Sequence, residues 1–299
     1  MQAIDWSEYQ AFLAVARTGQ LARAARLEGV DATTMGRRLR RLEARLGTTL
    51  FEQTRQGQSL TEAGEALLAH VETMAQAADA IAATRDEHGG LAGTLRVSVS
   101  EGFGSWFLAR HLPDFAREHP NLSIDLVASN GFLSPSRREA DLAVMLSRPS
   151  AGPVVARKLS DYRLRLYASA DYLAANGAPQ SRADLTQGHC LIGYIPDLIY
   201  TPELHYLDEI EPGLNAHIRS SSIHAQYQLV ASGAGIGVLP CFIGDGEGGL
   251  VPLLEDVHIT RSFWLVSHKD TQNLKRIRLF KLWLDRVVRG NHAVLMGVL

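Results

Sequence analysis

Cysteine is almost missing from this chain: Cys190 and Cys241 stand 51 positions apart with no second pair beside either. That excludes a disulfide framework and a thiolate zinc site, and fits a reducing compartment. Both thiols are expected to be structural, with a redox pair as the alternative. The eleven histidines show no HxxH or HExxH spacing, so no metal is expected. No apolar run reaches about 18 residues, and MQAIDWSEYQ has no basic stretch followed by an apolar one. A cytoplasmic protein without membrane contact is expected. A nucleophile, base and orienter at recognisable spacing are also wanting, so neither an enzyme nor a cofactor is expected. The last absence is local: residues 1 to 60 contain no lysine.

In place of lysine the first sixty residues carry nine arginines against six acids, a local charge of +3 that leaves -5 for the rest of a chain whose net charge is -2. A basic head on an acidic body points to a polyanion partner for the head alone. At 299 residues and 46% hydrophobic content, more than one domain is expected.

The arginines concentrate in Asp31 to Gly47, DATTMGRRLRRLEARLG. Met35, Leu39, Leu42 and Leu46 are spaced four, three and four apart, the apolar stripe of a helix packed on a core. Asp31 is placed to cap this helix and Gly47 to end it. Arg37, Arg38, Arg40, Arg41 and Arg45 project from the remaining faces, with Thr33 and Thr34 near the N-terminal end. A solvated basic helix is the ordinary alternative. Its neighbours favour DNA reading. Asp5 and Glu8 are spaced as a capping box before a first helix through Ala16, LARAARLE (21 to 28) gives a second, and a short turn precedes the arginine helix, which is the helix-turn-helix order. Thr49 to Phe51 and Ser59 with Leu60 then flank a polar loop holding Arg55, the pattern of a β-hairpin wing. Beyond Thr61, Leu67, Val71, Met74, Ala78 and Ile81 recur at four, three, four and three residues, predicting a long linker helix with a dimerising seam. Packing on its own chain is the alternative.

From Gly93 strands and helices alternate: strands at 95–100, 122–129, 142–146, 163–168, near 190–194, 215–220, 236–239 and 261–267, and helices at 105–119, from Asp171, at 222–232 and at 271–288. The alternation predicts parallel sheets covered by helices. GAGIG (233 to 237) follows a helix and precedes a strand, the reverse of a dinucleotide fingerprint, and predicts a tight turn. The acidic segment 202–212 reads as a solvated loop, with metal binding as the alternative.

These motifs resemble the LysR-type transcriptional regulators. The resemblance rests on Ala24, Ala25 and Leu27; on Arg41, Leu42, Glu43, Leu46 and Gly47; on Leu50 and Phe51; and on Leu60, Thr61, Ala63 and Gly64. The body continues it through GTLRVSVS (93 to 100), ADLAV (140 to 144) and ASGAGIGVLP (231 to 240), so it spans almost the whole chain. It implies a winged helix-turn-helix head (1–60), a linker helix (61–90) and an α/β two-lobed, periplasmic-binding-protein-like effector domain (91–299). The expected lobes are about 91–161 with 267–299, and 162–266. It further implies a DNA-binding regulator with double-stranded operator DNA, a small-molecule effector, a homodimer or homotetramer, and RNA polymerase as partners. The family usually has Ser-Gln at the start of its recognition helix and a serine before the arginine, where this chain has Asp31, Ala32 and Gly36; Gln53 stands where an arginine is common. Reading is therefore expected to fall on Thr33, Thr34, Arg37 and Arg38, with Arg41 and Arg55 assisting.

An open α/β sheet binds ligands beyond the carboxyl ends of its strands. That places the expected effector residues at Ser100, Glu101, Gly102 and Phe103, and at Asn130, Ser147 and Arg148. From the second lobe, Tyr200, Thr201, Ser222 and His224 are expected to face them. Glu101, if it faces the cavity, would repel an anion or pair with an amine. A cytoplasmic small-molecule-binding protein or an enzyme on the α/β body are the competing functions; the first leaves the basic head unexplained.

Overall fold

A computed structural model describes residues 5–54, 57–84, 91–129, 131, 133–137, 139–246 and 249–298. Arg55, Asn130 and the side chain of Ile81 lie outside the described residues. Two compact units emerge, residues 1–88 and 89–299.

In the first unit α1 (Trp6–Thr18), α2 (Leu21–Leu27) and α3 (Ala32–Leu46) precede β1 (Phe51–Thr54), β2 (Gly57–Leu60) and α4 (Glu62–Thr84). Phe12, Met35, Leu42, Leu50 and Val71 fill the core, where burying each side chain contributes about 1.5–3 kcal/mol. The motif residues fix the backbone around it. The Leu50 N–H donates to Glu43 Oε1 at 2.8 Å, and Thr61 Oγ1 donates to the Thr49 carbonyl at 2.8 Å while accepting from the Gly64 N–H at 3.1 Å. A Cβ on Gly64 would stand 2.3 Å from the Leu50 carbonyl oxygen, which is why no side chain fits there.

Three expectations change. Glu8 does not complete a capping box: Asp5 caps α1 through the Ser7 N–H, whereas the Glu8 carboxylate is 2% exposed and meets Arg45 Nη2 at 3.4 Å. Leu46, the last member of the apolar stripe, is 40% exposed, because α3 ends at that residue and carries it past the packed helices. In the expected dimerising seam Val71 is fully buried in the head's own core, and Leu67 packs against it. The early part of that stripe is therefore spent within the chain, while Met74 and Ala78 are only half-buried.

The second unit is built on one mixed sheet of eight strands. Its strands are β3 (Gly93–Ser100), β4 (Leu122–Ser129), β5 (Leu142–Met145), β6 (Val154–Ser169), β7 (Leu191–Gly193), β8 (Ile218–Arg219), β9 (Ile236–Pro240) and β10 (Leu250–His268). The order is β4-β3-β5-β10-β6-β9-β7-β8. The helices are α5 (Ala109–Glu118), α6 (Ala170–Asn176), α7 (Leu207–Ile210), α8 (Ile223–Ala231), α9 (Cys241–Gly244), α10 (Lys275–Gly290) and α11 (His292–Met296). The outer strands pair in parallel, as the alternation predicts, but β6 and β10 are antiparallel to each other and to their neighbours β9 and β5.

These two long strands cross the whole domain. Only their apolar ends were legible as strands; in β6 the buried Tyr162, Leu164 and Leu166 alternate with Arg163 and Arg165, and the segment before them mixes half-buried and exposed residues. The crossing also moves one lobe boundary. Trp264 to Ser267 pair with β5 in the first lobe, so the portion of β10 before residue 267 does not all belong to the second. GAGIG forms the expected turn between α8 and β9, with Gly233 at φ 77° and a Cβ on Gly235 only 2.3 Å from the Cys190 carbonyl.

Candidate DNA-reading face and effector cleft

Asp31 holds the start of α3. Its Oδ1 accepts from the Thr34 N–H at 2.7 Å and its Oδ2 from the Thr34 hydroxyl at 2.7 Å, and these bonds keep its carboxyl below the usual carboxylate range. With Met35, Leu39 and Leu42 buried, the opposite face carries Thr33, Arg37, Arg40 and Arg41, all exposed. Thr34 and Arg38 flank it, half-buried. Two refinements follow. The hydroxyl proton of Thr34 is committed to the cap, leaving that side chain an acceptor and a methyl. Arg40, which motif matching passed over, shares the outward face, although its Nε donates to the Gly36 carbonyl at 3.2 Å. The loss of a side chain at Gly36 touches α2 as much as DNA, since a Cβ there would rise 3.8 Å from the Leu21 methyls. In the wing, β1 and β2 pair from Phe51 with Leu60 to Thr54 with Gly57.

The body encloses a cleft at the carboxyl end of β3. Ser100, Glu101, Gly102, Phe103 and Tyr200, all expected there, line it. After Glu101 and Gly102 the chain forms a π-helical turn, Phe103–Leu108, which replaces the start of the expected helix and runs on into α5. Gly104 permits the close approach: a Cβ would meet Ala128 and Val99 carbons at 2.6 Å. Such turns concentrate at functional sites.

Glu101 leaves its strand and reaches α8. Its Oε1 accepts from the Ser222 hydroxyl at 2.8 Å and its Oε2 from the Ile223 N–H at 3.0 Å, so it occupies the positive end of that helix. Trp106 of the π-turn meets the His224 and Tyr227 rings at 5.1 and 5.6 Å between centroids, and Thr201 Oγ1 donates to Ser147 Oγ at 3.3 Å. Ser147, Thr201, Ser222 and His224 thus bring the two sides of the cleft together without lining it. Arg148 does neither: its guanidinium lies 5.5 Å from the Trp264 ring centroid.

Most of the lining had no motif. Tyr162 and Phe263 stack at 4.1 Å across the crossing strands, Phe103 lies 4.5 Å from Phe263, and Tyr194 and Tyr206 come from the irregular segment between β7 and α7. Tyr162 precedes the strand expected at 163–168 and Phe263 lies within the one at 261–267, and nothing in either pattern separates a pocket wall from ordinary core. Burial pushes the Tyr162, Tyr194 and Tyr206 hydroxyls far above their usual range. It pushes Tyr200 up to about 12, with the Glu101 carboxylate adding to the effect. The cavity measures about 40 Å3, within a cleft whose empty space, mouth included, is about 450 Å3. Outside it, Cys241 is fully buried and its thiol is pushed up by that burial, a setting that disfavours the reactive thiolate.

A capped, arginine-faced helix in a winged head, together with an α/β body closing on a cleft, defines a ligand-responsive regulator of DNA. Residues 6–65 match the bacterial regulatory helix-turn-helix protein family of LysR type, and residues 88–289 match the LysR substrate binding domain. The chain belongs to the LysR family of transcriptional regulators. It is 31% identical over 265 residues to the Mau operon transcriptional activator of Paracoccus denitrificans, covering 88% of this chain and 89% of that one. It is 30% identical over 293 residues to the regulator CrgA of Neisseria meningitidis serogroup C, covering 95% and 97%. The solved CrgA structure from Neisseria meningitidis covers 97% of this chain and 99% of its own, at 27% identity and a TM-score of 0.56. Among the described residues no helix is long and apolar enough to cross a membrane.

Proposed function

We propose that the protein reads operator DNA with the outward face of α3, and that a small effector held in the cleft beyond β3 biases one arrangement of paired heads over another. The observation that carries this is the exposed row Thr33, Arg37 and Arg41 on a helix whose opposite face is buried. Arg37 makes the bidentate contact to guanine, while Arg38 and Arg41, with Arg55 in the wing, hold phosphates. Met74, Ala78 and Ile81 of α4 join two copies into a homodimer, which assembles further to a tetramer, meets RNA polymerase and acts in the cytoplasm without catalysis.

The test is binding to the DNA upstream of its own gene across a salt series. Log affinity should fall linearly with log salt, by about 0.9 for each phosphate neutralised. Arg37→Ala should flatten discrimination between operator variants, whereas Arg38→Ala should weaken all DNA alike. Salt-independent binding, or discrimination unchanged by Arg37→Ala, would refute the assignment.

A further inference from the structure

The cleft carries an instruction about the charge of its ligand, an inference that rests on reading it as the effector site. Among its lining residues Glu101 is the sole acidic or basic side chain; no Asp, Arg, Lys or His lines it. Both Glu101 oxygens are committed, to the Ser222 hydroxyl and the Ile223 N–H. Those are the donors, at the positive end of α8, that a carboxylate ligand would otherwise take. The chain has put its own anion there. An incoming acid would meet occupied donors and a like charge inside aromatic walls, where an uncompensated charge is costly to bury. A cation would gain one carboxylate that two donors and a helix terminus already satisfy.

The walls favour something else. Tyr162 lies flat on Phe263, 15° from parallel, with Phe103 and Phe242 on the same cluster. A cavity of about 40 Å3 holds only about three waters, so what enters must be thin and must replace them. Among the described residues neither the Tyr162 nor the Tyr194 hydroxyl has a hydrogen-bond partner, although both line the cleft. A hydroxyl on the cleft wall without a protein partner is a group a ligand can satisfy. We infer that the cleft takes a small, flat, uncharged aromatic molecule bearing a hydroxyl or carbonyl group, with Glu101 serving as a built-in anion that rejects carboxylates.

Titration calorimetry of the full chain with three ring-matched probes tests this: 4-hydroxybenzamide, 4-hydroxybenzoate and 4-hydroxybenzylamine, at neutral pH. The amide should bind at least about tenfold more tightly than either charged probe. Tyr162→Phe, which removes one hydroxyl and little packing, should weaken amide binding about fivefold, by loss of a single hydrogen bond. Glu101→Gln should narrow the gap between benzoate and amide. Benzoate or the amine binding as tightly as the amide would overturn the inference, as would no binding of any probe at millimolar concentration. Operator binding with and without the amide separates the two levels. Amide binding that depends on Tyr162 but leaves the DNA complex unchanged keeps the ligand class and removes the effector reading. A charged probe that depends on Tyr162 and alters the DNA complex does the reverse.

Discussion

Asp31 and Glu101 both place a carboxylate at a helix N-terminus, yet they do so over different reaches of chain. Asp31 caps its own helix three residues away, through Thr34. Glu101 caps α8 from 121 and 122 positions away, through Ser222 and Ile223. A local cap fixes where a helix begins and answers to nothing else. A cap delivered from the end of another strand exists only while two parts of the domain are closed on each other, so it can be competed with. The same elementary interaction serves shape in the head and state in the body.

The largest expected effect removes an aromatic wall of the cleft that Glu101 also lines. Phe263→Ala, at a position 1% exposed among Phe103, Tyr162 and Phe242, should cost about 3–5 kcal/mol, read by denaturant unfolding as a loss confined to the body. Next is Glu101→Ala, which leaves the Ile223 N–H without its partner while Ser222 still accepts from the Ala225 N–H. A loss of about 2 kcal/mol is expected by the same measurement; an unchanged midpoint would show that the closed arrangement does not depend on this contact. In the head, Arg37→Ala should cost about 1–3 kcal/mol of discrimination against the wrong base, read as the ratio of operator to variant affinities, with no change in melting temperature.

Two pH titrations sharpen the contrast further. The cleft tyrosines are held protonated by burial, so the stability they contribute is full below their ordinary value of 10.0 and is lost as pH rises through their elevated folded values. Absorbance of the ionised phenol should therefore lag behind that of the unfolded chain and rise together with loss of structure. Asp31 has the opposite sign. Its lowered carboxyl contributes stability above 3.8 that disappears as pH falls through its folded value, and in Asp31→Asn this part of the acid limb, the smallest effect of the set, should vanish.

How much of this was legible in the sequence follows the same division. The head could be read almost whole, because its motif residues act on backbone a few positions away: Asp31 on Thr34, Thr61 on Gly64, Glu43 on Leu50. What it concealed was Val71, whose heptad spacing fits a partner helix as well as its own chain's core. In the body the alternation located nearly every strand, but not the direction of β6 and β10, since pairing partners far apart in sequence leave no mark on periodicity. The glycines and Glu101 after β3 were visible as the end of a strand. Tyr162, Tyr194, Tyr206 and Phe263 were not, because an aromatic residue facing a cleft and one facing a core occupy the same place in a pattern of alternation.

The continuity of β6 and β10, 16 and 19 residues long and paired along most of their length, limits the body to one kind of movement. A ladder of backbone bonds resists sliding, whereas it twists at little cost, and here register shifts interrupt it between Leu253 and His258 and between Phe263 and Trp264. The pair is built as a torsion bar, and a ligand beside Tyr162, near the middle of β6, would act as the hand that turns it. With about 3.3 Å of rise per residue, the half of β6 on either side of Tyr162 makes an arm of roughly 25 Å, over which a turn of about 5° becomes a displacement of about 2 Å. A molecule the size of one aromatic ring, wedged beside Tyr162, would thus be felt at the outermost strands of the sheet.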